Sequence, residues 1–292
     1  MIATLSLILA TFINLIPQAI AIEPDTAADS AVESTTQPTS TINNARDLLT
    51  TLGKHDLTTN SLVGEIRFTS INTLENDRQM RLGDLAILRQ PDGVRNYAVS
   101  FNTLLIGDRQ ADISEHFIFD GHWFVERLPK EKQFNKRELV PDGETLDPME
   151  LMRDAPFWVS LGHDQDRLLK SYEAELLATD EGLTDNEDFP ELQYFADSPI
   201  TADTYQIMLT PKPGSGFEDD WKSVRIWINK ETLLPALYIK TEWTEDLQIV
   251  ELFKTKTNTE ISNTIFDTTS PDARSGWNVQ VSSWRGNQDS NK

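Results

Sequence analysis

The chain has 292 residues, and 47 acidic against 26 basic side chains give it a formal net charge of −21, which repels polyanions and excludes nucleic acid as a natural partner. It has no cysteine, which removes thiol nucleophiles, thiolate metal sites, disulfides and a lipid-modified cysteine at the start of a mature chain. At 38% hydrophobic, with 13 Phe and 7 Trp, it has ample material for one large β domain.

Residues 1–21, MIATLSLILATFINLIPQAIA, hold no charged side chain and end in Ala19-Ile20-Ala21, the small residues that a signal peptidase reads. Export with cleavage before Ile22 is the reading, against a retained anchor that Asn14, Pro17 and Gln18 interrupt. Residues 22–42, rich in Thr, Ser, Ala, Asp and Glu, offer almost nothing to bury and are expected to be a disordered lead-in. A single domain over 43–285 and a tail at 286–292 complete the division.

Asn43 or Asn44 can cap a helix in which Ala45, Leu48, Leu49 and Leu52 share one face, with Gly53 as a stop. From Leu62 the period changes to two, with Gly64, Ile66 and Phe68 in phase. A second strand, Met80 to Arg89, carries Leu85 and Ile87 and closes on the turn Gln90-Pro91-Asp92-Gly93. A third, Asn96 to Asn102, alternates Tyr97, Val99 and Phe101. Phe117 and Phe119 then lead into Asp120-Gly121, a strong hairpin signal, and Trp123 and Val125 alternate in the strand that follows, with another strand beyond Pro129-Lys130-Glu131-Lys132.

Between Asp147 and Thr179 the pattern turns helical: Pro148 suits a first helical position, Phe157, Trp158, Val159 and Leu161 form an apolar patch, and a helix from about Gln165 places Leu168, Leu169, Tyr172, Leu176 and Leu177 on one face. Residues 180–203 carry eight acidic side chains and no basic one. They lack the Asp-x-Asp-x-Asp-Gly spacing of a calcium loop, which favours a solvated surface insertion. Strands resume at 204–210, 223–229, 234–244 and 247–257, with a last one near 277–284. The count is about eleven strands and two or three helices.

Chemistry is hard to find in this pattern. None of the four histidines, His55, His116, His122 and His163, falls in a metal-binding or protease spacing, and there is neither a GxSxG elbow nor a phosphate-binding glycine loop. Asp120 and His122 are neighbours, but Asp120-Gly121 is what the hairpin needs. No catalytic residue, metal or cofactor is expected. A face of Phe, Trp and Tyr is either sandwich core or a pocket; an apolar concavity under a few covering helices suits acyl chains. The basic group Arg127, Lys130, Lys132, Lys136 and Arg137 is a docking patch or a solvated hairpin end.

In order along the chain, Gly83-Asp84-Leu85, Arg89 ahead of Pro91, Asp120-Gly121-His122-Trp123, Leu209-Thr210-Pro211-Lys212, and Asn258 followed by Phe266 resemble the marks of the LolA family of periplasmic lipoprotein carriers, across roughly residues 43–284. The resemblance implies an incomplete, open antiparallel β-barrel with a helical lid, acting without covalent chemistry. It implies a periplasmic monomer that takes acylated lipoprotein from an inner-membrane transporter to an outer-membrane acceptor. By the same resemblance Phe68, Leu85, Ile87, Tyr97, Val99, Phe101, Phe117, Phe119, Trp123 and Val125 line the acyl-chain cavity, and Arg89 latches the lid by donating to helix carbonyls. Each methylene kept in water costs roughly 0.8 kcal/mol, so a soluble carrier must offset on the order of 10 kcal/mol per long chain.

Two other classes remain open at this point. A regulatory module of the same fold would sense lipid or lipoprotein, and a hydrolase on a new β scaffold would bring Ser, His and a carboxylate together inside the cavity.

Overall fold

Asn44 stands where the first helix needs a cap. Its Oδ1 accepts the Asp47 N–H at 2.9 Å, and Asp47 Oδ2 in turn accepts the Asn43 N–H at 3.2 Å, a reciprocal arrangement that satisfies N–H groups the helix leaves free. The helix, α1, is Ala45–Thr58 in the computed structural model, which describes residues 42–75, 77–140, 165–184, 189–272 and 274–284. It runs through Gly53 rather than stopping there. A single helical glycine costs only about 1 kcal/mol, and the turn beyond it carries the buried Asp56, which Arg89 and Arg95 hold. The expected signal segment, most of the expected lead-in, the patch at 147–164 expected to be helical and the expected tail lie outside the described residues.

Twelve strands follow among the described residues: β1 Ser61–Asn72, β2 Asp77–Arg89, β3 Arg95–Ile106, β4 Arg109–Phe119, β5 Trp123–Leu128, β6 Gln133–Glu138, β7 Tyr172–Leu177, β8 Thr204–Pro211, β9 Ser223–Asn229, β10 Pro235–Thr241, β11 Leu247–Thr257 and β12 Asn278–Ser282. They form one sheet in the order β12-β6-β5-β4-β3-β2-β1-β11-β10-β9-β8-β7, and β12 and β7 are free edges, so the barrel is open. Every pairing is antiparallel except that of β12 with β6. Two short α-helices also lie among the described residues, α2 Gln165–Ser171 and α3 Gln193–Ala196.

The helix expected to continue through Leu177 gives way to a strand at Tyr172. Leu168, Leu169 and Tyr172 have helical spacing, but Tyr172, Ala174 and Leu176 also alternate with Glu173 and Glu175, and an antiparallel partner in β8 decides the matter. This strand is the one beyond the eleven that the pattern predicts.

Both halves of the sheet pack around α1. Leu48 and Leu49 are fully buried in a cluster with Leu62, Ile66, Leu85 and Val99 from one half and Ile207, Leu209, Tyr238 and Val250 from the other. Each such leucine contributes roughly 1.5–3 kcal/mol of burial. The outer face is covered twice. Leu183, Phe189, Leu192 and Phe195 pack on Trp227, Leu237, Ile239 and Ile249, and Phe266, with Ile261 and Trp277 beside it, packs on Ala86, Ala98, Ile118 and Val125. The acidic stretch at 180–203 is therefore a cover for the outer face. Asp180, Glu181, Asp197 and Asp203 face water while Leu183, Phe189, Leu192 and Phe195 are buried, and counting charges alone hid them.

Candidate functional site

The register at Asp120-Gly121 fixes which aromatic side chains share a face. Asp120 Oδ1 accepts the N–H of His122 (3.0 Å) and of Trp123 (2.7 Å), and Gly121 takes the positive φ of the turn, +98°. Phe119 then stands opposite Phe124, and Phe117 opposite Glu126. Trp123 and Val125 fall on the outer face, where Val125 is buried beside Ile118 and Phe134 and the Lys136 Nζ lies 4.8 Å from the Trp123 ring centre. Their expected place in the cavity is corrected. One residue more in the turn than the alternation assumed exchanges the two faces of the strand.

The remaining eight expected lining residues do share the concave face, in two settings. Leu85, Ile87, Tyr97, Val99 and Phe119 are buried in the cluster that includes α1, and they are core. Phe68, Phe101 and Phe117 lie farther along the face as an aromatic row, with ring centres 6.1 Å and 6.0 Å apart, in which Phe101 is itself buried in the core cluster and Phe68 and Phe117 pack against it. They form, with Leu128, the apolar floor of a groove of about 570 Å³. Phe68 and Phe117 are only half-buried. Above the floor stand Ser70, Asn72 and Gln79, and the charged groups Glu75, Asp77, Arg81, Glu115 and Glu126. Arg81 Nε reaches Glu115 at 3.0 Å, and Glu126 accepts from Asn135 Nδ2 at 2.8 Å.

Arg89, at the end of β2, donates to the Asp56 backbone carbonyl and to its Oδ2 at 3.1 Å, so it does reach the last turn of α1. Sequence reasoning missed the second arginine. Arg95 Nη2 donates to Asp56 Oδ1 at 2.7 Å and to the Thr59 carbonyl at 3.3 Å. Two arginines bracketing the Pro91-Asp92-Gly93 turn were the available signal, because such a turn brings both ends to one place. Next to the clamp, burial pushes the Tyr97 phenol up to about 12, which keeps it neutral.

The other motif residues have local work. Gly83 lies at a bulge against β3, where a Cβ would come within 2.0 Å of the Ser100 carbonyl oxygen. Asn258 Oδ1 accepts the Asn60 N–H at 2.8 Å and its Nδ2 donates to the Thr58 carbonyl, so it closes the α1–β1 turn. Lys212 Nζ donates to the Leu169 carbonyl at 2.7 Å at the end of α2. Among the basic group, Arg127 lies over Trp277 and Arg137 over Phe124, and Lys136 Nζ donates to the Thr268 carbonyl at 3.1 Å. Arg127 and Lys136 thus hold the outer C-terminal segment. Asp120 spends Oδ1 on the turn and Oδ2 on Thr268 (2.6 Å), while His122 faces Glu138 at 2.9 Å. Among the described residues no group of three or more His, Asp or Glu side chains is placed to hold a metal.

No family model and no curated protein matches the chain. Solved structures are similar to it: a DUF1329 family protein from Desulfovibrio piger, 14% identical over 76% of this chain and 95% of that one, with a TM-score of 0.40; and a LolA superfamily protein from Nitrosomonas europaea, 11% identical over 77% and 98%, with a TM-score of 0.31. Also similar is a chain of the Pseudomonas aeruginosa MucA/MucB complex, 14% identical over 76% of this chain with a TM-score of 0.40, of which the match spans 60%. The described residues form an open, mostly antiparallel sheet packed on α1, the architecture that the sequence leads one to expect.

Proposed function

We propose that the protein is an exported carrier that binds the acyl chains of lipoproteins in the concave groove and passes them between membrane partners, an inner-membrane transporter and an outer-membrane acceptor, without covalent chemistry. One observation carries this reading. Three aromatic rings form a continuous row at the base of an open groove of about 570 Å³, a size typical of ligand sites, and two of them are left half-buried where the neighbouring rows are sealed by α1. A protein with this much apolar material has no packing reason to leave Phe68 and Phe117 partly open.

The clamp of Arg89 and Arg95 on Asp56 bears on release. It ties the C-terminal end of α1 to the β2–β3 hairpin. An acyl chain longer than the groove gains further apolar surface only if α1 moves off Leu85, Ile87 and Val99, so the clamp sets how readily the load is taken and given up. The experiment is native mass spectrometry of the protein purified from its own cells, with lipid extraction of what is bound. Recovery of an acylated peptide in stoichiometric amount supports the carrier. A protein that comes out empty and takes up no acylated peptide in vitro overturns it.

A further inference from the structure

The groove is apolar below and acidic above. Among the described residues four carboxylates, Glu75, Asp77, Glu115 and Glu126, and a single guanidinium, Arg81, line it, and Arg81 is already bonded to Glu115. The acids also have an order. Glu126 stands opposite Phe117 and Glu115 opposite Phe101, at the level of the floor. Arg81 is level with Phe68, Gln79 with Ser70, and Asp77 with Asn72 at the far end of the strands, with Glu75 in the turn beyond. From Phe68 to Asn72 is four residues of strand, about 13 Å. Negative charge therefore follows the path by which a chain leaves the aromatic floor.

We infer that the groove selects an acylated peptide with positively charged residues directly after the acylated one. This rests on the carrier reading and names the class of cargo. A fatty chain on the phenylalanine row places its attached head among carboxylates, in a low-dielectric concavity that strengthens their field. An anionic head meets repulsion there, and a neutral one brings no counter-charge to Glu75, Asp77 and Glu126, which do not share the Arg81–Glu115 ion pair. A compact cationic lipid head spans only one or two of these groups. An extended peptide advances roughly 3.3 Å per residue and so meets them in succession, with Ser70 among them and with Gln79 and Asn72 holding Asp77 and the Glu75 N–H in place at 2.8 Å each.

The test is calorimetric titration of the purified protein with palmitoyl-Ser-Lys-Lys-Lys, palmitoyl-Ser-Lys, palmitoyl-Ser-Gly-Gly-Gly and palmitoyl-Ser-Glu-Glu-Glu. At about 20 mM salt the triple-lysine probe is expected to bind at least about tenfold tighter than the glycine probe, and the glutamate probe weaker still, with the spread collapsing at about 500 mM salt. In Asp77→Asn with Glu126→Gln the lysine preference shrinks, and in Glu126→Lys it shrinks further. Equal binding of lysine, glycine and glutamate probes overturns this inference and leaves the carrier reading standing. A single-lysine probe as tight as the triple one overturns the commitment to a peptide. Binding of none of the four overturns the carrier reading itself, and this inference with it.

Discussion

Arg95 donates twice to Asp56, to Oδ1 at 2.7 Å and to the backbone carbonyl at 3.1 Å, and Arg89 reaches the same residue from the other side of the hairpin. Asp56 lies in the last turn of α1, where the helix dipole disfavours a carboxylate, and all three side chains are largely buried. Asp56→Ala leaves two guanidiniums buried with no counter-ion and is expected to cost about 3–5 kcal/mol in urea unfolding. Arg89→Met is expected to cost clearly less, because Arg95 keeps the carboxylate paired. Equal losses in the two variants would mean that Arg89, not the pair, holds the helix.

Gly83 has no room for a methyl group, since the obstacle is the main chain of β3 rather than a side chain that can turn away. Gly83→Ala must push β2 from β3 at the bulge. The expected loss is about 3 kcal/mol, the upper range of overpacking. The neighbouring exposed Asp84→Ala is expected to change stability by no more than about 0.5 kcal/mol in the same chemical unfolding series.

Burial holds the imidazoles of His55 and His116 below their ordinary value of 6.5, and repulsion from Arg127 adds to this at His116. The unfolded chain then binds more protons than the folded one below 6.5, so stability falls as pH drops from 6.5 through the two folded values. The carboxylate of Glu251, pushed above 4.5 by burial, acts in the opposite sense, and its contribution is lost as pH rises through that folded value. Thermal unfolding at about pH 7.5 and about pH 5.5 is expected to show a lower Tm at the acid end. His116→Gln is expected to narrow the gap, and an unchanged gap would remove His116 from the account.

The strands were legible because each carries its own period, and the turn at Asp120-Gly121 because glycine accepts a backbone few residues take. What the sequence hid was non-local. Whether Val125 faces in or out depends on how many residues the turn consumes, and a shift of one reverses every side chain after it. Tyr172 satisfies a helix and a strand equally until β8 is there to pair with. Leu183, Phe189, Leu192 and Phe195 sit among acidic neighbours, and only the outer face of β9–β11 tells them apart from a solvated loop. The groove was half legible. Phe68 and Phe117 were in the right phase, but only the position of α1 separates them from Leu85, Val99 and Phe101, which have the same phase and are core.

That separation can be measured. Phe117 and Phe119 are two residues apart on one strand and face the same way, yet Phe119 is 3% exposed in the core while Phe117 stands half-buried at the groove. Phe119→Ala opens a cavity inside packed structure and is expected to cost about 3–5 kcal/mol. Phe117→Ala loses less stability, because water already reaches one side of the ring. If the groove holds an acyl chain, the order reverses for binding: Phe117→Ala is expected to weaken palmitoyl-peptide uptake by about tenfold or more, the removed ring carrying roughly 1.5–3 kcal/mol of apolar contact, while the folded fraction of Phe119→Ala binds nearly as the parent does. Stability and binding that fall together in both variants would place the acyl site in the core under α1 instead, with the helix having to leave before any chain can enter.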